Sequence, residues 1–196
     1  MGKIIAITQI SVDGVMQAPG GPDEDPSSGF THGGWFMHYG DDLLNKTINE
    51  TIAGEFEMLL GRRTYDIFAS YWPQHDDNPI GKAFNKAKKY IATRTLDQTH
   101  WHNAQVVHDV EEIGRLRASD GPDIHIWGSG NLLQTLISAG LVDEHRLWIA
   151  PVVLGGGKRL FENGVPAGRL ALVDTQITST GMIINTYRPS GPLPGA

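Results

Sequence analysis

Three short stretches carry residue types that could hold a polyanion. In "IWGSGN", residues 126–131, an apolar run ends in Gly128-Ser129-Gly130 and passes straight into a helical pattern. Glycines at such a junction let backbone N–H groups come close to an anion, and the helix N-terminus adds partial positive charge. Taken alone, the turn reads equally well as a tight strand-to-helix connection. It is not a full dinucleotide fingerprint, because Leu133 occupies the third glycine position and the turn lies late in the chain. In "LLGRRTYD", residues 59–66, a second strand pattern ends at Gly61, and Arg62, Arg63 and Thr64 follow at a helix start. Two guanidiniums and a hydroxyl there suit a phosphate. In "YIATRT", residues 90–95, Thr93 and Arg94 close a third strand pattern. Ligands of open α/β sheets sit at the carboxyl ends of strands. Two glycine turns and three arginines at such ends fit an extended ligand with several phosphates better than a single phosphate.

Other candidates weigh less. His100 and His102 flank Trp101 but have no further ligand nearby in sequence, and no metal site is expected. His125 alternates with Ile124 and Ile126 and reads as a sheet-face residue. "LGGG", 154–157, reads as a backbone bend at a site rim, with a third phosphate turn as the alternative. Trp35, Phe68 and Trp72 suit either a flat substrate pocket or core packing.

The elements that would position these residues follow from periodicity. β-branched runs bounded by turn residues predict strands at 3–10, 55–61, 88–93, 104–109, 123–128, 144–157, 170–179 and 182–189. Helical spacing predicts helices at 41–53, 62–72, 78–87, 110–119 and 131–140. Asp41 is the expected N-cap of the first helix, Pro73 stops the second, and Gly140 ends the last. Residues 16–40 form a long loop rich in Gly, Pro, Asp and Ser. Strands alternate with helices and then dominate, so the fold class is α/β: three α/β/α layers with a mainly parallel central sheet and an antiparallel C-terminal hairpin. One domain is expected over 1–190, with a loose tail at 191–196.

Composition narrows the function classes. The chain has 196 residues, a net charge of −6 and no cysteine. Without a basic stripe, nucleic acid is an unsuited partner. Thiolate chemistry, disulfides and iron–sulfur clusters are excluded. No apolar run is long enough to span a bilayer, and the start lacks a signal-peptide pattern, so no membrane partner and a cytoplasmic location are expected.

The order of the motifs resembles the dihydrofolate reductase-like superfamily. It is most similar to the reductase domain of bacterial riboflavin biosynthesis (the RibD C-terminal domain family), in its stand-alone form. The carrying stretches are "SVDGV", "GGW", "LLGRRTYD", "KKYIATRTL", "IWGSGNLLQTLISAGLVDE" and "IAPVVLGGGKRLF", spanning about residues 3–188. The resemblance implies NADPH as hydride donor. It puts the pyrophosphate on Gly128, Ser129, Gly130, Asn131 and Leu132. The adenosine 2′-phosphate falls near Arg62, Arg63, Thr64, Thr93 and Arg94, and Gly61 is among the cofactor-binding residues. Ala6, the Asp13-Gly14-Val15 loop and Trp35 fall beside the nicotinamide.

Two positions depart from the family pattern. The first-helix carboxylate of dihydrofolate reductases falls on Asn45, counting back from Gly61. The substrate-contacting Glu of riboflavin-pathway reductases falls on Trp127. Substrate contacts are therefore expected from Trp35, Asn45, Phe68 and Trp127. Asp41, Asp42 or a water are the candidate proton donors. The expectation is an NADPH-dependent reductase acting on a C=N or C=O of a small heterocyclic or sugar-derived substrate. The alternative is a non-catalytic NADPH sensor or a binding module. A homodimer through the late apolar strands 147–154 and 182–187 is also expected, as in relatives of the riboflavin-reductase group.

Overall fold

The computed structural model describes residues 2–162 and 164–195; Met1, Asn163 and Ala196, the last in the expected tail, lie outside the described residues. Eight strands and five α-helices follow in the order β1 Ile4–Ser11, α1 Asp42–Ile52, β2 Phe56–Gly61, α2 Arg62–Tyr71, α3 Pro79–Lys86, β3 Lys88–Ala92, β4 Ala104–Val107, α4 Val110–Ala118, β5 Asp123–Trp127, α5 Gly130–Ser138, β6 Glu144–Ala150, β7 Leu170–Ile177 and β8 Ile183–Pro189. They build one sheet, ordered β4-β3-β2-β5-β1-β6-β8-β7. All neighbours from β4 to β6 are parallel, and β8 pairs antiparallel with β6 and β7.

Alternating side chains send two apolar sets to opposite faces, as a sheet covered on both sides requires. Ile5, Ile7, Met58, Leu60, Trp127 and Trp148 pack with Leu44 and Ile52 of α1, Tyr65 of α2 and Phe84 of α3. Ile4, Ala6, Leu59, Ile124 and Ile126 pack on the other face with Ile113 of α4 and Leu133 and Leu136 of α5. α5 ends as its sequence suggests. Gly140 is left-handed at φ 66°, its N–H reaches Ile137 O, and Leu141 N–H reaches Leu136 O, the paired bonds of a Schellman motif.

Two expectations need correction. The predicted strand over 144–157 stops at Ala150. Pro151 has no N–H for the ladder, and Val152 N–H folds back onto Ala150 O at 2.8 Å. The exposed edge is also at neither 147–154 nor 182–187: β6 is flanked by β1 and β8, β8 by β6 and β7, and the sheet ends at β4 and at β7, the latter exposed along nearly its whole length. The long loop 16–40 is folded onto the body. It contains two 3-10 turns, at Ser27–Gly29 and Trp35–Tyr39, and buries Trp35 and Phe36.

Candidate functional site: a recess between two helix N-termini

β5 ends early. Its pairing with β1 stops at Ile7↔Trp127, while β1 runs on to Ser11 beside β6. On its other side the ladder with β2 stops at Met58↔His125, while β2 runs on to Gly61 beside β3. A recess is left at the carboxyl edge, between strands whose following helices leave to opposite faces. Such a switch point is where open α/β sheets bind ligands.

The N-termini of α2 and α5 meet in this recess, stitched by two side chains. Gly61 N–H donates to Ser129 Oγ at 3.0 Å, and Ser129 N–H donates to Thr64 Oγ1 at 3.1 Å. Gly128 is left-handed at φ 65°, where a Cβ would lie 3.6 Å from Thr64 Oγ1. Neither helix has a side-chain cap. The backbone N–H groups of Arg62, Arg63 and Thr64 and of Gly130, Asn131 and Leu132 find no acceptor among the described residues. This narrows the expected anion seat. Ser129 and Gly61 spend their own N–H groups on the stitch, so the free donors are the first turns of the two helices. A Cβ on Gly130 would meet Met16 Sδ at 3.0 Å rather than open space.

The cations divide unevenly. Arg62 Nε is held by both oxygens of Asp66 at 2.9 Å. Arg63 Nη2 is bonded to Asp25 Oδ1 at 2.5 Å, and Lys158 Nζ holds Asp25 Oδ2 at 2.6 Å. Burial pushes the Asp25 carboxyl up, but the hydrogen bonds from Lys158 and Ser27 outweigh it and hold it below the ordinary range. Arg94, beyond the end of β3, is exposed and has no ionic partner among the described residues. Thr93 is buried, and its Oγ1 accepts from Thr95 N–H.

The Asp13-Gly14-Val15 loop is pinned from the other side. Asp13 accepts from Ser11 Oγ at 2.6 Å and from the N–H groups of Leu154 and Gly155. The Ser11 bond leads in pulling its pKa down to about 2. The Gly155 N–H is thereby used, so "LGGG" is a bend locked to Asp13. Val15 is buried and bridges to Arg159. Ala6 pairs with Ile126 and His145, one residue before the last β1–β5 pair at Ile7↔Trp127, and its side chain is buried in the α4–α5 core.

On the α1 face an aromatic column continues from the recess. Phe36 stacks on Trp148, Trp148 meets Trp127 edge-on at 5.8 Å, and Phe84 links Trp127 to Phe68. Trp35 joins through Phe36 and donates its indole N–H to Gln17 O at 2.8 Å. Trp35 and Trp127 are thus core residues as the chain stands. The indole N–H groups of Trp127 and Trp148 are buried without a partner among the described residues, each a penalty of about 1–3 kcal/mol unless something accepts from it. Asn45 is exposed on α1. Asp41 is spent structurally: Oδ1 caps Leu44 N–H and Oδ2 accepts from Ser179 N–H and Oγ. It is no proton donor, and these bonds, led by that to Leu44 N–H, lower its pKa. A cavity of about 390 Å³ opens between loop residues 27–32 and 154–158, beside Lys158. Sequence reasoning missed Asp25, Lys158 and Trp148: Lys158 follows the "LGGG" turn inside "IAPVVLGGGKRLF" but carried no expected role, and the other two lie in no motif with a chemical signature.

Comparison with known proteins gives the family and the fold. The model of the RibD C-terminal domain matches residues 2–184. The uncharacterized protein YyaP of Bacillus subtilis (strain 168) is 32% identical over 199 residues, covering 96% of each chain. Among solved structures, a putative riboflavin biosynthesis protein from Shewanella sp. PV-4 superposes with a TM-score of 0.68 at 17% identity, over 96% of this chain and 99% of that one. A pyrimidine reductase-like protein from Corynebacterium diphtheriae gives 0.64 at 15%, over 96% and 92%. Dihydrofolate reductase from Enterococcus faecalis, complexed with NADP(H) and RAB-propyl, gives 0.61 at 17%, over 96% and 97%. At such identities the likeness is one of fold, and that fold is dihydrofolate reductase-like.

Proposed function

The chain belongs to the RibD C-terminal domain family, and from that premise we propose that it is an NADPH-dependent reductase of a small, flat, carbonyl- or imine-bearing substrate. The observation that carries the reading is the pair of uncapped helix N-termini facing one recess. Six free N–H groups and the positive ends of two helices favour the pyrophosphate there. Arg94, with Arg62, Arg63 and Thr93, serves the adenosine 2′-phosphate. When bound, NADPH supplies the hydride. The residues of the chain bind and orient it and keep water from the acceptor.

The substrate side follows from the aromatic column. Phe68, half-buried at the column's outer side, supplies apolar wall, and Trp35 and Trp127 back it from the core. Asn45, lacking an ionisable group, cannot give the general acid–base assistance that contributes about 10²–10⁴-fold. Poor turnover of dihydrofolate follows. A second copy of the chain covers the β7 edge, where Leu172, Val173 and Ile177 are exposed; light scattering tests this. No described helix is long and apolar enough to cross a membrane.

The test is NADPH oxidation with dihydrofolate, the ribosylamino-uracil phosphate and a panel of flat heterocyclic carbonyls. Turnover is expected with members of the panel and to be weak with the two named substrates. Tight NADPH binding with no turnover of anything would favour the sensor.

A further inference from the structure

Asp25 lies in a Gly- and Pro-rich loop where no motif points. Its side chain is 9% exposed, yet it takes cations from two distant segments, Arg63 and Lys158. It also accepts from Ser27 N–H and Ser27 Oγ, at 3.2 and 2.6 Å. A buried carboxylate needs a counter-ion, but one is enough. With two, the cluster carries a spare positive charge.

The two cations are not equivalent. Lys158 is held in place: its Nζ also donates to Ser27 Oγ at 3.0 Å, and its backbone N–H donates to Gln17 Oε1 at 3.0 Å. Gln17 in turn ties down the carbonyls of Asp25 and Ser27. The Arg63 side chain is 58% exposed, has Asp25 as its one partner among the described residues, and stands on the first turn of α2 beside the free N–H groups. Arg63 is therefore the cation that can leave.

We propose that Asp25 is a specificity-determining residue of the recess: it parks Arg63 and yields the guanidinium to a ligand phosphate, while Lys158 keeps the carboxylate paired. This rests on the reading of α2 and α5 as phosphate-binding N-termini. A ligand group must compete with a carboxylate for Arg63. Diphosphates and dianionic phosphomonoesters can do so, and a singly charged group is at a disadvantage. Lys158 is a positioning residue that acts through Arg63 without touching ligand.

The experiment is calorimetric titration of inorganic pyrophosphate and of NADPH into the wild type, Asp25→Asn, Lys158→Met and each of these combined with Arg63→Ala, with melting temperatures in parallel. Asp25→Asn frees Arg63 and should tighten binding roughly two- to fivefold, the scale of a partly exposed ion pair. Lys158→Met makes Asp25 depend on Arg63 and should weaken binding by a similar factor. Both shifts should vanish when Arg63 is Ala. Both substitutions loosen the same loop, so a purely structural role would move affinity in one direction. Shifts of the same sign, shifts that survive Arg63→Ala, or no shifts at all would overturn the role of Asp25 alone. A wild type that binds neither probe would overturn the phosphate recess, and this proposal with it.

Discussion

Helix N-termini fall into two groups. α1, α3 and α4 are closed by their own Asp or Asn: Asp41 to Leu44 N–H, Asn78 to Gly81 N–H and Asp109 to Glu112 N–H. α1 and α4 add acids in the first turn. α2 and α5 have neither cap nor acid there, and α2 opens with two arginines. Ser129 sharpens the contrast. It is a favoured N-cap type in the N-cap position, yet its backbone is left-handed and its hydroxyl takes the N–H of Gly61 instead. Where a helix start serves only the fold, the orphan donors are satisfied from within. The two that are left open stand together at the recess.

The largest effect should come from erasing this difference. Gly61 has φ −70°, and a Cβ there would make only ordinary contacts at 3.6 Å. Gly61→Asp would give α2 a cap and place a carboxylate where phosphate should sit. NADPH affinity should fall about a hundredfold or more, since charged hydrogen bonds are worth about 1.5–3 kcal/mol each. The melting temperature should hold or rise slightly. A variant that melts normally and binds normally would mean that the α2 N-terminus is not used.

The reverse change on the closed side should cost stability alone. Asn78→Ala removes the cap of α3 and should cost about 1 kcal/mol, or about 2–4 °C of melting temperature for a chain of this size. NADPH affinity should not change. An affinity loss in this variant would blur the two groups.

A smaller effect lies in pH. Burial pushes His125 and His145 down to about 4. The unfolded chain takes up protons on these rings below about 6.5, which the folded chain refuses until about 4. Their contribution to stability is therefore full above 6.5 and lost as pH falls toward 4. Thermal midpoints measured from neutral pH downward should decline through this window. His125→Phe, which keeps the ring stacked on Phe56 at 4.6 Å, should flatten the decline.

Much of the frame was legible. "EFEMLLG" and "DIHIWG" carry apolar runs closed by glycine, and both became strands that deliver helix starts. Asp41 capped α1 because residue type and i, i+4 spacing agreed. The end of β6 was not legible from hydropathy, since "PVVL" is as apolar as the strand before it; the missing N–H of Pro151 decided it. Whether Trp35 and Trp127 line a pocket or fill a core depends on what packs around them, and that is a property of the assembled column. Asp25 was invisible for another reason. In "GPDEDPSSG" an acid reads as solvated, and its pairing with Arg63 and Lys158 exists only once three distant segments meet. Lys89 escaped likewise: its ammonium is buried on β3 and donates to the carbonyls of Asn85, Ala87 and His102.

The central claim is that the two open helix starts, with their arginines, hold the phosphates of NADPH. Fluorescence titration of the wild type with NADPH and with NADH tests it most directly. A charge-assisted contact to the 2′-phosphate is worth about 1.5–3 kcal/mol, so NADPH should bind about ten- to a hundredfold more tightly. Equal affinities, or no binding of either, would contradict it.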